Sequence, residues 1–265
     1  MSKTGRTILT LSANAISAYS GPTGKGGGEK GRRVTTMTRG ARSRMLALLN
    51  SLSFRSVRFV TLTYHYNQVD GSVGYAHLRS WHKAMARRYG ACGVVWRAER
   101  QERGAIHYHV FCVDAPGGWN LDGMRDEWLR VTAQIGDVAA RLYGVHEVCV
   151  SDLGAEDVGV MVSYMTKYAS KDGGDVGGKQ WGVLARAMLV ERKETKSVSR
   201  ETFDAIVRAI ERMGVAKSTT DGGGTAIRYY LGCVGGGVTD AVFARNDLVE
   251  NIEQTVIELL LSRSV

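Results

Sequence analysis

Several absences narrow the field before any motif is read. The four cysteines, Cys92, Cys112, Cys149 and Cys233, are scattered, with no CxxC pair and no disulfide-like rhythm. That argues against a cysteine zinc site and fits a reducing compartment. No apolar run approaches the roughly 18 residues of a membrane span, and the N-terminus has no hydrophobic signal core. The expectation is a soluble protein of the cytoplasm. GPTGKGGG is not a phosphate loop, because no Gly-Lys-Ser/Thr follows a strand at the required spacing. There is no internal repeat.

Acidic residues are nearly missing from one region. Across residues 1–45, nine Lys or Arg (Lys3, Arg6, Lys25, Lys30, Arg32, Arg33, Arg39, Arg42, Arg44) face one acid, Glu29, so this segment holds +8 of the chain's net +9. With its Gly24–Gly28 stretch it reads as a basic, flexible leader, either an arm along phosphates or a solvated tail. The net charge favours a polyanionic partner. At 265 residues, 44% hydrophobic and 23% charged, the remainder can bury a core.

Alternation and helical spacing place the elements. Residues 57–64 are a β-branched and aromatic strand. Leu78, Trp81, Met85 and Tyr89 mark a basic amphipathic helix over 76–89. Residues 94–99 and 105–113 form a β-hairpin around Gln101–Gly104. Trp128, Val131, Ile135, Val138 and Leu142 predict a helix over 122–143, followed by a strand at 145–151 and a helix at 155–171. Further on, a strand is expected at 183–191, a helix at 200–213, an extended segment at 225–234 and a final helix at 247–261. The order β-α-β-β-α-β-α before residue 172 predicts an α+β fold, a central antiparallel sheet with helices packed on it in a split-βαβ layout. The domain limits expected are a leader at 1–45, a core domain at 46–191 and a C-terminal extension at 192–265.

Two runs carry chemistry. In Ile106-His107-Tyr108-His109-Val110, alternation sets His107 and His109 on one face of a strand. Glu99, near the end of the preceding hairpin strand, can face them. Two imidazoles and a carboxylate leave positions open on Mg²⁺ or Mn²⁺ that a phosphate oxygen can take. Alone, an H-x-H pair reads equally as a solvated strand face; Glu102 is a rival ligand, though in the turn. In the helix at 155–171, Val158, Met161, Val162, Met165 and Ala169 gather on one side, and Tyr164, Lys167, Tyr168 and Lys171 on the other. A phenol ordinarily titrates near 10, so adjacent ammonium groups or a metal would help its oxygen attack phosphorus.

Phe59-Val60-Thr61-Leu62-Thr63-Tyr64, Ile106-His107-Tyr108-His109-Val110 and Tyr164-x-x-Lys167-Tyr168-x-x-Lys171, in this order, resemble the rolling-circle replication initiators of the HUH endonuclease superfamily, in the two-tyrosine form of phage and plasmid members. Trp181-Gly182 is similar to that group as well. The resemblance spans about residues 55–185. It implies an RRM- or ferredoxin-like core, a divalent metal at His107, His109 and Glu99, and tyrosine attack on single-stranded origin DNA, often at a hairpin. The products would be a 5′-phosphotyrosine and a 3′-hydroxyl that primes a host polymerase. Lacking a phosphate loop, the chain would rely on a host helicase, and the setting would be a bacterial host cytoplasm. The overlapping YxxK units leave open whether both tyrosines serve. Competing expectations are a transposase or relaxase of the same chemistry, and a non-catalytic, basic single-stranded DNA-binding protein.

Overall fold

The computed structural model describes residues 6–13, 15–21, 37–152, 174–191, 193–212, 219–221 and 224–230. The expected helices at 155–171 and 247–261 lie outside them, as does the Gly24–Gly28 stretch.

The α+β expectation holds. A five-stranded antiparallel sheet is built from β4 (Ser56–Thr63), β5 (Gly93–Arg100), β6 (Ile106–Val113), β7 (Val145–Asp152) and β8 (Trp181–Leu184). Its order is β7-β4-β6-β5-β8. β4 and β5 both run antiparallel to β6, which lies between them. The helix that joins them must therefore cross over β6, and likewise the segment between β6 and β7 crosses β4. That is the split-βαβ arrangement twice over.

Both crossings are made by helices with clear local causes. α2 (Gly71–Tyr89) starts where the Asp70 side chain accepts from the N–H groups of Ser72 and Val73, and stops at Gly90, whose φ of 94° suits a residue without Cβ. α3 (Leu121–Val131) is capped by Asn120. Leu78, Trp81 and Met85 of α2 pack with Met124 and Trp128 of α3 against Val60, Leu62, Val94, Trp96, Tyr108 and Val110 of the sheet.

The opposite sheet face is split. At one end, Met45, Leu48 and Leu49 of α1 (Arg39–Ser51) cover Val57, Phe59, Val95, Phe111 and Val113. At the other end the strand residues turn polar: Thr61, Thr63, Glu99, His107 and His109.

Two expected elements are different. The helix over 122–143 is two, α3 and α4 (Val138–Tyr143), and Ile135, Val138 and Leu142 are 67%, 73% and 60% exposed. Ala133 takes a φ of 57°, Gln134 turns inward so that its Oε1 accepts from the His65 N–H, and the Asp137 carboxylate caps a new helix. A tertiary hydrogen bond and a fresh cap override the periodicity. The strand expected at 183–191 is β8, then a 3₁₀ turn at Arg186–Met188, then β9 (Val190–Glu191). Ala185, at a φ of 48°, turns the chain off the sheet, and β9 pairs with β3 (Leu52–Ser53).

The flexible leader also needs correction. β1 (Arg6–Ser12) and β2 (Ala15–Gly21) form a hairpin, with Leu9, Leu11 and Ile16 buried, and α1 begins at Arg39. β1 pairs with β10 (Lys193–Ser197) and β2 with β12 (Gly224–Tyr230), which β11 (Thr219–Asp221) extends into a second five-stranded sheet. α5 (Arg200–Arg212) accompanies it, with Phe203 and Ile206 buried. Residues assigned to leader and to extension therefore share one sheet.

Candidate metal centre on the central sheet

The hairpin register brings the site together. Glu99 of β5 lies directly across from His107 of β6, and Arg97 from His109. On the far side of β6, Thr61 lies across from His109 and Thr63 from His107. Register partners share a face, so two rows run over the sheet, Thr63–His107–Glu99 and Thr61–His109–Arg97.

The Glu99, His107 and His109 ligand atoms all lie within 4.8 Å of one another. His109 Nε2 is 3.2 Å from Glu99 Oε2, and His107 Nε2 is 3.5 Å from the same oxygen. The two imidazole centroids are 4.6 Å apart. Glu99 and His109 are buried, and His107 is partly so. Burial pushes the Glu99 carboxyl up, but His107, His109 and Arg97 outweigh it and hold the group down at about 2. Burial lowers the His109 value, offset in part by Glu99. At neutral pH the cluster is a carboxylate beside a neutral imidazole, the protonation states a divalent ion requires.

Neighbouring residues orient the ligands. Thr61 Oγ1 lies 3.1 Å from His109 Nδ1, so that an Nδ1–H donating to the hydroxyl leaves the Nε2 lone pair facing Glu99. The Phe59 ring stacks on His109 at 5.9 Å between centroids and 5° between planes. Arg97, fully buried, brings Nε to 3.7 Å from Glu99 Oε1. Even so, Glu99 Oε1 and His107 Nε2 are buried without a hydrogen-bond partner among the described residues. Buried polar atoms are seldom left this way, and both belong to the three-residue group. The donor set, its spacing and its unpaired atoms fit one divalent cation.

A cavity of about 480 Å³ opens beside the pair, walled by Thr61, Thr63, His65, Arg103, His107 and His109 among others. Arg103 donates from Nη1 to the His65 carbonyl at 2.7 Å and from Nη2 to that of Tyr64, clamping the end of β4. The His65 imidazole pairs with Asp137.

Of the residues expected from sequence, Glu99, His107 and His109 come together; Glu102 is exposed in the turn, apart from them. Tyr164, Lys167, Tyr168 and Lys171 lie outside the described residues. Thr61, Phe59 and Arg97 were not anticipated in these roles. Alternation along β4 and β5 puts them on the histidine face, but only the strand order shows which neighbours they meet.

Residues 57–173 match the family model described as Replication-associated protein ORF2, a rolling-circle replication initiator family. Comparison with curated proteins gives no significant match, and comparison with solved structures gives none either. The matched segment contains β4 through β7 and every residue of the cluster.

Proposed function

We propose that this chain, whose residues 57–173 carry a rolling-circle replication-initiator domain, nicks single-stranded DNA at an origin and becomes covalently joined to it. The observation that carries the reading is the buried Glu99–His107–His109 group with two unpaired ligand atoms, lying inside the family-matched segment.

A divalent cation such as Mg²⁺ or Mn²⁺, held by Glu99, His107 and His109, supplies Lewis-acid polarisation of the scissile phosphate. The protein's own groups do the rest. Thr61 and Phe59 fix the His109 ring, and Arg97 steadies the Glu99 carboxylate. The hydroxyl oxygen of Tyr164 or Tyr168 forms a bond to phosphorus as the bond from phosphorus to the 3′-oxygen breaks. The phenolic proton is given up, and the departing oxygen takes one to become a 3′-hydroxyl. Lys167 and Lys171 offset the charge on phenolate and phosphate. The products are a 5′-phosphotyrosine and a primer end for a host polymerase, with strand separation left to a host helicase. A second tyrosine would allow the regenerated origin to be cut while the first linkage is resolved.

The test is to incubate the full chain with candidate origin single strands and Mn²⁺, then map any adduct by mass spectrometry. A phosphotyrosine at Tyr164 or Tyr168 is expected, lost in the Tyr164→Phe/Tyr168→Phe double variant. An adduct that survives the double variant sinks the tyrosine assignment. Metal-independent, salt-sensitive binding without any adduct would instead mark a binding module.

A further inference from the structure

On the same sheet face as the metal centre, but toward the β8 edge, lies a second cavity of about 570 Å³. That is within the roughly 300–1,000 Å³ of small-ligand clefts. Its wall includes Trp181 and Val183 of β8, Arg44 of α1, and Lys179, Gly182 and Arg186. No acidic residue lines it among the described residues.

The register fixes its place. Trp181 lies across from Arg97, which lies across from His109. The row Thr61–His109–Arg97 therefore continues to Trp181, which stands two strand spacings, roughly 10 Å, from His109. The indole is half-buried against the α1 cluster and still lines the cavity. The Gln180 carbonyl accepts from the Ala98 N–H at 2.8 Å, which holds the approach to β8 against β5. Gly182 has no side chain where one would press on Trp96 and on Lys179: a Cβ there would come within 2.9 Å of Trp96 Cζ2 and 3.1 Å of Lys179 Nζ. The glycine thus leaves room for the lysine at the strand edge.

The cations differ in availability. Arg186 is engaged by Glu191. Arg44 and Lys179 are exposed and have no ion-pair partner among the described residues. An aromatic ring with two uncommitted cations around one cleft is the pairing that holds a nucleotide of single-stranded nucleic acid, base on the ring and phosphates on the cations.

We propose that Trp181, Arg44 and Lys179 form a nucleotide subsite for single-stranded DNA flanking the phosphate at the metal centre, with the base stacked on Trp181. This rests on the DNA-nicking reading for its meaning, but its test does not need cleavage.

The full chain, without added metal, is titrated with single-stranded oligothymidylates of graded length, for wild type and for Trp181→Leu, Trp181→Phe and Arg44→Ala. Leu keeps apolar bulk against the α1 cluster and removes the stacking face, whereas Phe keeps a face. Trp181→Leu is expected to weaken binding about tenfold on strands long enough to reach the cleft and not on the shortest ones. Trp181→Phe recovers most of the loss. Arg44→Ala lowers the slope of log K against log salt by about 0.7, the value for one single-strand phosphate contact. The proposal is overturned if Trp181→Leu binds every length as wild type does, or if Phe loses as much as Leu, which would mean packing rather than stacking. Adduct formation is scored separately. Trp181-dependent binding with no adduct from wild type removes the nicking reading and leaves the subsite, and an adduct with Trp181-independent binding does the reverse.

Discussion

The two faces of the central sheet come from the same strands and end in opposite states. Under α2 and α3, polar atoms on large aromatics are mostly paired off. Trp81 Nε1 donates to the Met124 carbonyl at 3.0 Å, Trp128 Nε1 to that of Thr63 at 2.8 Å, and Tyr64 Oη meets His77 Nδ1 at 3.1 Å. Trp96 Nε1 is an exception. On the other face, α1 covers only one end, and the far end buries a carboxylate and two imidazoles with Glu99 Oε1 and His107 Nε2 unpaired. The first face is arranged to hold the sheet together. The second accepts unsatisfied groups that favour no stable core, and this is the signature of a site waiting for a ligand.

The comparison breaks most readily at His107. On the DNA-nicking reading, His107→Ala should lower adduct formation by at least about 1,000-fold, because loss of a metal ligand costs several kcal/mol of charge stabilisation. Its melting temperature should barely move, since the removed imidazole Nε2 has no hydrogen bond to lose. A variant that melts far earlier yet nicks at full rate would show that the histidine face is structural after all.

Trp81→Ala tests the other face. Trp81 is fully buried between sheet and α3, so the expected loss is about 3–5 kcal/mol of stability in denaturant titration. Below its transition, the folded fraction should form adduct at the wild-type rate. A rate defect in fully folded protein would mean that the two faces are coupled.

How far this division can be read in the sequence depends on the range of the contacts. β4, α2, β5, β6 and β7 follow from alternation and from caps such as Asp70, all local features. His107, His109 and Glu99 needed only a hairpin register. The second sheet is another matter, because β1 pairs with β10 and β2 with β12, partners some 180 to 210 residues away. No local pattern carries such a register, so residues 6–21 read as leader. Likewise Val131, Ile135, Val138 and Leu142 keep helical spacing, but Gln134 bonds to His65 from another part of the chain and the helix breaks. Thr61, Phe59 and Arg97 went unassigned for the same reason: they matter through neighbours on other strands.

Thr61 sharpens the comparison at smaller scale. Thr61→Val keeps the shape and removes the hydroxyl 3.1 Å from His109 Nδ1. Outer-shell partners of this kind are worth roughly 10- to 100-fold in metal affinity, measurable by titrating Mn²⁺ with adduct formation as readout. Unchanged affinity would show that Phe59 stacking alone fixes the ring.

The smallest effect concerns acid stability of the helix-covered face. His82 on α2 is buried, with Nε2 3.1 Å from the Cys92 carbonyl, and desolvation lowers its pKa below the ordinary 6.5. The unfolded chain then binds a proton that the folded chain refuses. Stability is therefore full above pH 6.5 and is lost as pH falls from there toward the folded value, with a slope of at most about 1.4 kcal/mol per pH unit for one group. His77 is lowered in the same direction by burial and adds to the slope. His82→Gln can still donate to the Cys92 carbonyl but does not titrate, so denaturant titrations at stepped pH should show a shallower fall below 6.5 than wild type. An identical fall would place the acid lability elsewhere, on His77 or on the histidine face, and the helix-covered face would then be the more acid-tolerant of the two.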